Sequence, residues 1–125
     1  MKTTREEELA FYMEQFQRRA REELAKVAAD LTAEGFGKAE YRLRWLADLP
    51  RTVQLARMAE LTLGAVAEVG FEKGLQGALT NYERELENWR PHRSTSPYAN
   101  AANDELHEAL REFLPVLRRL AQKEA

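Results

Sequence analysis

Residues 4–34 read TREEELAFYMEQFQRRAREELAKVAADLTAE, without a glycine or a proline, and this stretch decides the fold. Its apolar residues recur every three or four positions, which is the spacing of one face of an amphipathic α-helix. Thr4 and Glu7 have the spacing of a capping box, and Gly35 follows where a helix commonly ends. We therefore predict one helix from Thr4 to Glu34. Its apolar stripe consists of Leu9, Met13, Phe16, Ala20, Leu24, Val27 and Leu31.

The predicted first helix is long for the size of the chain. About 30 residues at roughly 1.5 Å each give a rod of about 45 Å. A compact domain of 125 residues has a diameter of roughly 35 Å. The helix must therefore bend, or one end must project and be covered by a partner.

Composition indicates one soluble helical domain over residues 1–125, with 44% hydrophobic and 32% charged residues. The sequence contains no cysteine, which excludes disulfides and thiolate chemistry. It contains neither an apolar run of about 18 residues nor a signal-peptide pattern at its start. We therefore expect no membrane contact and a cytoplasmic location. The net charge of −2 does not by itself favour nucleic acid or an anionic membrane.

Two helices are predicted in the middle of the chain. A short one extends from about Lys38 to Leu49, because Pro50 cannot continue it. The next extends from about Arg51 to Val69 and is apolar on nearly all sides, which is typical of a central, buried helix.

The remaining sequence predicts two further helices separated by a loop. Gly70, Gly74 and Gly77 are interpreted as a turn, after which a helix continues to the residues before Pro91. The stretch from Arg90 to Asn103 has the composition of a long loop. A fifth helix is expected to be capped by Asn103 or Asp104 and to be kinked by Pro115 near Arg111. The predicted fold is an all-α, five-helix antiparallel bundle with a long first helix and a buried third helix.

No residue pattern indicates an enzyme, a cofactor or a metal site. The three glycines lack the preceding strand and the Lys-Ser/Thr ending of a phosphate-binding loop. Asp104 and His107 lie one turn apart, but a di-iron bundle needs a matching pair on a second helix. The other histidine, His92, lies in the predicted loop. No activated nucleophile is recognisable.

Charge is distributed unevenly along the chain. Five basic and two acidic residues lie between Lys38 and Met58, whereas two basic and six acidic residues lie between Ala59 and Asn88. Aromatic rings among arginines can stack on bases while the guanidinium groups contact phosphates. Alternatively, the arginines pair with the acidic fourth helix, and the rings lie at the edge of the core. The possible nucleic-acid contacts are Lys38, Tyr41, Arg42, Arg44, Trp45, Arg51, Arg90 and Arg93.

Aromatic residues and methionine cluster near the start of the first helix, at Phe11, Tyr12, Met13 and Phe16. They cover more than one narrow stripe, and such residues are enriched at interface centres. They form a candidate protein interface, unless a broad stripe simply meets several helices in a monomer. We therefore expect a non-catalytic interaction module that forms a homodimer or binds a larger protein as a subunit or inhibitor. The alternative is an accessory subunit of a nucleoprotein complex.

Overall fold

The computed structural model describes residues 4–34, 51–91 and 95–122, and within these ranges the chain is entirely helical apart from short connections. The four helices are α1 (Arg5–Glu34), α2 (Arg51–Val69), α3 (Phe71–Asn88) and α4 (Pro97–Gln122). The short helix expected from Lys38 to Leu49 lies outside the described residues, so the total of five helices stays a prediction. In the described ranges, no helix has the length and apolarity needed to cross a membrane.

The first helix begins as the capping-box spacing predicts. The Glu7 backbone N–H donates to Thr4 Oγ1 at 3.0 Å, and the Thr4 backbone N–H donates to Glu7 Oε1 at 3.4 Å. These bonds satisfy donors at the start of the helix that have no partner within it. α1 then continues unbroken for 30 residues.

A single residue, Gly70, connects α2 to α3, and its φ of 94° lies in the left-handed region that glycine adopts without a steric penalty. One turn later, Gly74 approaches the backbone of α2 so closely that a Cβ placed there would lie 2.5 Å from Val66 Cα. Because α3 begins at Phe71, Gly74 and Gly77 are helical residues, and the expected turn is reduced to Gly70. The two helices form a tight antiparallel corner.

The last helix begins earlier than expected, because the stretch predicted as a loop is partly helical. α4 starts at Pro97, and Ser96 caps it: the Ala99 N–H donates to Ser96 Oγ at 3.3 Å. Proline suits the first helical position, since its missing N–H would have no partner there. The helix continues past Pro115, which cannot donate to the carbonyl of Arg111.

α1 and α4 pack antiparallel. Arg5 Nε of α1 donates to the Leu120 carbonyl of α4 at 3.0 Å, and Arg19 pairs with Glu112 further along both helices. Residues early in α1 therefore lie beside residues late in α4, and residues further along α1 lie beside earlier residues of α4. α2 packs against all three other described helices, so it occupies a central position in the bundle.

Of the described helices, α4 contributes the largest number of fully inaccessible side chains, so the expectation that the third predicted helix, α2, is the most buried is wrong. All six core residues of α4 are completely inaccessible, whereas α2 contributes four core residues and exposes Leu61 and Val69. The apolar residues of α2 lie on all sides of the helix, and neighbours cover only part of that circumference. The core residues of α4 are Ala109, Leu110, Phe113, Leu114, Leu117 and Leu120.

Aromatic packing connects three helices at the centre of the core. The ring of Phe113 lies 5.3 Å from that of Phe16 and 5.4 Å from that of Tyr82, measured between centroids. Burial raises the pKa of Tyr82 to about 12, with a smaller contribution from the charge of Glu85, while a hydrogen bond with Thr62 opposes the shift. The phenol is therefore held in its neutral form.

Candidate interaction surfaces

The four aromatic and methionine residues of the predicted interface are divided between the core and the surface. Met13 is fully buried and Phe16 is 6% exposed, so both pack within the single chain and are inaccessible to a partner. Tyr12 is partly buried, and its hydroxyl accepts a hydrogen bond from Arg119. Phe11 is 59% exposed on the opposite side of α1 from Met13. Of the predicted interface, only Phe11 and the edge of Tyr12 are accessible. That these two residues bind a partner stays a prediction.

The excess length of α1 lies at its carboxyl end rather than at its aromatic end. Thr52, in the first turn of α2, donates a hydrogen bond to Glu23, so α2 begins beside the middle of α1. α1 continues for 11 residues beyond Glu23, a distance of about 16 Å. Leu24 lies on the same helical face as Met13, yet it is 43% exposed. Of the apolar stripe of α1, Leu24 is therefore only partly covered.

A second exposed apolar position lies where α2 and α3 meet at the surface. Leu61, in the middle of α2, is 68% exposed. It is one turn from Ala65, whose backbone faces Gly74, and Gly77 is one turn from Gly74 on α3. Leu61 lies nine residues before the corner at Gly70, and Gly77 lies seven residues after it. Their distances from the corner therefore differ by two residues, or about 3 Å along the bundle. Both therefore flank the outer edge of the contact between α2 and α3.

This outer edge, which we call the Leu61–Gly77 edge, continues into a shallow hollow of about 400 Å³ on the exposed face of α3. In the described part of the chain, no atom lies within 4 Å of a Cβ placed at Gly77, so the floor of the hollow is open there. Two basic residues and no carboxylate line the hollow, although α3 is otherwise acidic. The lining residues are Lys73, Gln76, Gly77, Thr80, Asn81 and Arg84.

Sequence reasoning missed the Leu61–Gly77 edge. Leu61 belongs to a helix that is apolar on nearly all sides, so periodicity cannot separate its exposed positions from its buried ones. A glycine inside a strongly amphipathic helix was the available signal, because such a residue lowers helix stability and calls for an explanation.

Of the possible nucleic-acid contacts, only Arg51 and Arg90 fall within the described residues, and both bind other parts of the chain. Arg51 Nε lies 3.7 Å from Glu105 Oε2, and its backbone N–H donates to the same oxygen. Arg90 donates to the carbonyls of Glu87 at 3.0 Å and Trp89 at 2.7 Å, at the end of α3.

For Arg51 the partner differs from the expected one, because this residue pairs with Glu105 of α4 and not with the acidic α3. Both arginines lie near the first half of α4, so the structure brings them to one end of the bundle. Nucleic-acid binding stays a prediction. The other residues assigned to it lie outside the described ranges: Lys38, Tyr41, Arg42, Arg44, Trp45 and Arg93.

The Asp104 and His107 pair lies in a polar cluster at the same end. The ring of His107 stacks on Trp89 with centroids 4.1 Å apart, and Trp89 Nε1 donates to the Asn103 carbonyl at 3.0 Å. The Asn103 side chain in turn donates to the Arg90 carbonyl at 3.0 Å. These contacts attach the end of α3 to α4. Among the residues that the structure describes, no three histidine, aspartate or glutamate side chains are grouped so as to hold a metal ion.

Comparison with known proteins finds no match to this chain among family models, curated proteins or solved structures.

Proposed function

We propose that this protein is a non-catalytic interaction module that associates with itself through the outer faces of its helices. The observation that supports the proposal is the pair of exposed mid-helix glycines beside an exposed leucine. Among the described residues, a Cβ at Gly64 or Gly77 would meet no atom within 4 Å, so neither glycine is needed for the packing of the described helices. Each costs about 1 kcal/mol relative to alanine in a helix interior.

The two glycines lower helix stability, and no contact between the described helices compensates for that loss. We attribute their presence to a second molecule that approaches the helix backbone at Gly64 and Gly77. Glycine permits such an approach because it carries no side chain. Leu61 supplies an apolar contact at the same level of the bundle. A packed helix face of this kind is one of the usual modes of protein recognition.

The proposal is tested by measuring molar mass with light scattering after size exclusion, over a range of micromolar concentrations. We expect a mass above the 14.4 kDa of one chain. Leu61→Glu should lower that mass without unfolding the protein, because the side chain is 68% exposed and glutamate matches leucine in helix propensity. Arg111→Glu, on the exposed side of α4, is the control and should leave the mass unchanged.

A single 14.4 kDa species at every concentration would refute self-association. If the mass is higher than that of one chain and neither Leu61→Glu nor Arg111→Glu lowers it, the contact between copies does not involve Leu61.

A further inference from the structure

We infer that the contact between copies is formed by Phe11 of one molecule, whose ring occupies the hollow over Gly77 of another. The inference rests on the proposed self-association and assigns it a pair of surfaces. Each surface is exposed within the protomer. One presents an apolar ring flanked by carboxylates, and the other an open hollow flanked by cations.

The hollow offers space and positive charge. Gly77 leaves its floor open, and the volume of about 400 Å³ is ample for a phenyl ring. Lys73 and Arg84 lie on either side of Gly77 along α3, separated by 11 residues or about 16 Å. Among the described residues, no carboxylate lines the hollow, so both cations face an incoming anionic surface.

The surface around Phe11 offers the opposite features. The ring is 59% exposed, and an edge-on contact with Tyr12 at 5.6 Å restricts its orientation. Glu7 and Glu14 lie one turn before and one turn after Phe11, which separates them by about 10 Å along α1. The long side chains of Lys73 and Arg84 can bend inward by the few ångströms needed to meet them.

Both carboxylates already have a partner within the chain, which does not prevent a second contact. Glu7 accepts hydrogen bonds from Thr4, and Glu14 pairs with Arg21 at 2.5 Å. A carboxylate offers about four acceptor positions, so each can accept a further donor. Because the hollow is lined by two cations, an apolar ring flanked by carboxylates matches its charge. α1 of a second copy presents such a ring.

The proposed contact uses different patches on the two copies and is therefore heterologous. A pair of molecules is the smallest assembly, and each end of the pair retains one unused patch to which a further copy can bind. We expect the average mass to rise with concentration.

The contact is tested by chemical cross-linking, for which a chain without cysteine is well suited. Ala10→Cys, beside Phe11, and Thr80→Cys, in the lining of the hollow, are prepared as separate proteins, so that any link between them joins two molecules. The mixture is treated with a short bis-maleimide, and one protein is isotope-labelled so that mixed dimers are identified by mass. The mixed dimer should form roughly tenfold faster than in a control mixture of Ala10→Cys with Arg111→Cys.

The contribution of the ring is tested in the same mixture. Phe11→Ala, introduced into the Ala10→Cys protein, should reduce cross-linking to the level of the control. Persistent cross-linking in this variant would overturn the inference, and so would equal rates for the two mixtures. If the unmodified protein has a higher mass but these sites do not cross-link, the inference fails and the proposed function stands. If it is a monomer, both fail.

The charge match is tested by reversal. Arg84→Glu and Glu14→Lys should each raise the dissociation constant roughly threefold, the magnitude expected for an exposed ion pair. Combining both substitutions in every molecule should restore the original value. Additive weakening in the double variant would contradict the assigned pairing.

Discussion

The tight corner between α2 and α3 allows a sharp test, because two glycines three residues apart in one helix should respond to the same substitution in opposite ways. In Gly74→Ala, the new Cβ would lie 2.5 Å from Val66 Cα and 2.6 Å from its nitrogen. Carbon atoms pack at about 3.5–4.0 Å, so the helices would have to separate by roughly 1 Å. Overpacking of this kind costs about 3 kcal/mol when backbone must move. The higher helix propensity of alanine offsets about 1 kcal/mol, which leaves a net loss of about 2 kcal/mol.

Gly77→Ala is the matched control, because no atom lies within 4 Å of the new methyl group. Only the propensity gain remains, so the free energy of unfolding should rise by up to about 1 kcal/mol. Both variants are compared with the original protein by urea unfolding, followed by far-ultraviolet circular dichroism at low protein concentration. The melting temperature should change by roughly 4 °C per kcal/mol for a domain of this size.

The predicted result is a difference of about 3 kcal/mol between the two variants, with the original protein between them. Equal stability of Gly74→Ala and Gly77→Ala would refute the close approach of α3 to Val66. Loss of stability in Gly77→Ala would show that its surroundings are not open.

Two further predictions concern a buried group and the alternative function. Burial raises the pKa of Tyr82 to about 12, so the folded state holds this proton more tightly than the unfolded chain does. The resulting stability, about 3 kcal/mol, is fully present below about pH 10 and is lost as the pH rises toward 12. Tyr82→Phe should remove this decrease in the free energy of unfolding at alkaline pH. The free energy is measured by urea unfolding of both proteins at increasing pH, and an unchanged pH dependence in the variant would contradict the prediction. The nucleic-acid hypothesis predicts a mobility shift of DNA or RNA at about 50 mM salt, and replacing Arg51 and Arg90 by glutamine should reduce the salt slope by about 2. Absence of any shift would remove that hypothesis.

Several elements of the fold could be predicted because local chemistry determines them. The capping box at Thr4 and Glu7 is formed by residues three positions apart, so its spacing alone identifies it. The bounds of α2, from Arg51 to Val69, agree with prediction. The sequence signals are Pro50, whose residue type cannot continue a preceding helix, and Gly70, whose residue type favours a helix end. In both cases the interactions that decide the structure lie within a few residues of one another.

The start of α4 could have been predicted from the same local rules but was not. Ser96 and Pro97 have the residue types preferred at the cap and at the first position of a helix. The serine, proline and asparagine content of this stretch was interpreted as a loop, although Ala99, Ala101 and Ala102 favour a helix.

The candidate surfaces could be predicted only in part. Sequence selected the region of Phe11, but spacing alone did not show that Met13 and Phe16 pack inside the protomer while Phe11 is exposed. It did not identify Leu61 or Gly77. Exposure depends on which neighbouring helix covers a given side, and those neighbours are distant in the chain.

By itself, the sequence determined that the described residues form helices, where α1 and α2 begin and end, and which side of α1 is apolar. These properties follow from backbone hydrogen bonding and side-chain spacing within one or two turns. The tertiary structure decided that α4 contributes the most inaccessible side chains among the described helices, that Gly74 is a packing residue, and that Gly77 opens onto solvent. The two glycines are identical in local chemistry, and only the position of α2 beside α3 makes one contact backbone and leaves the other free.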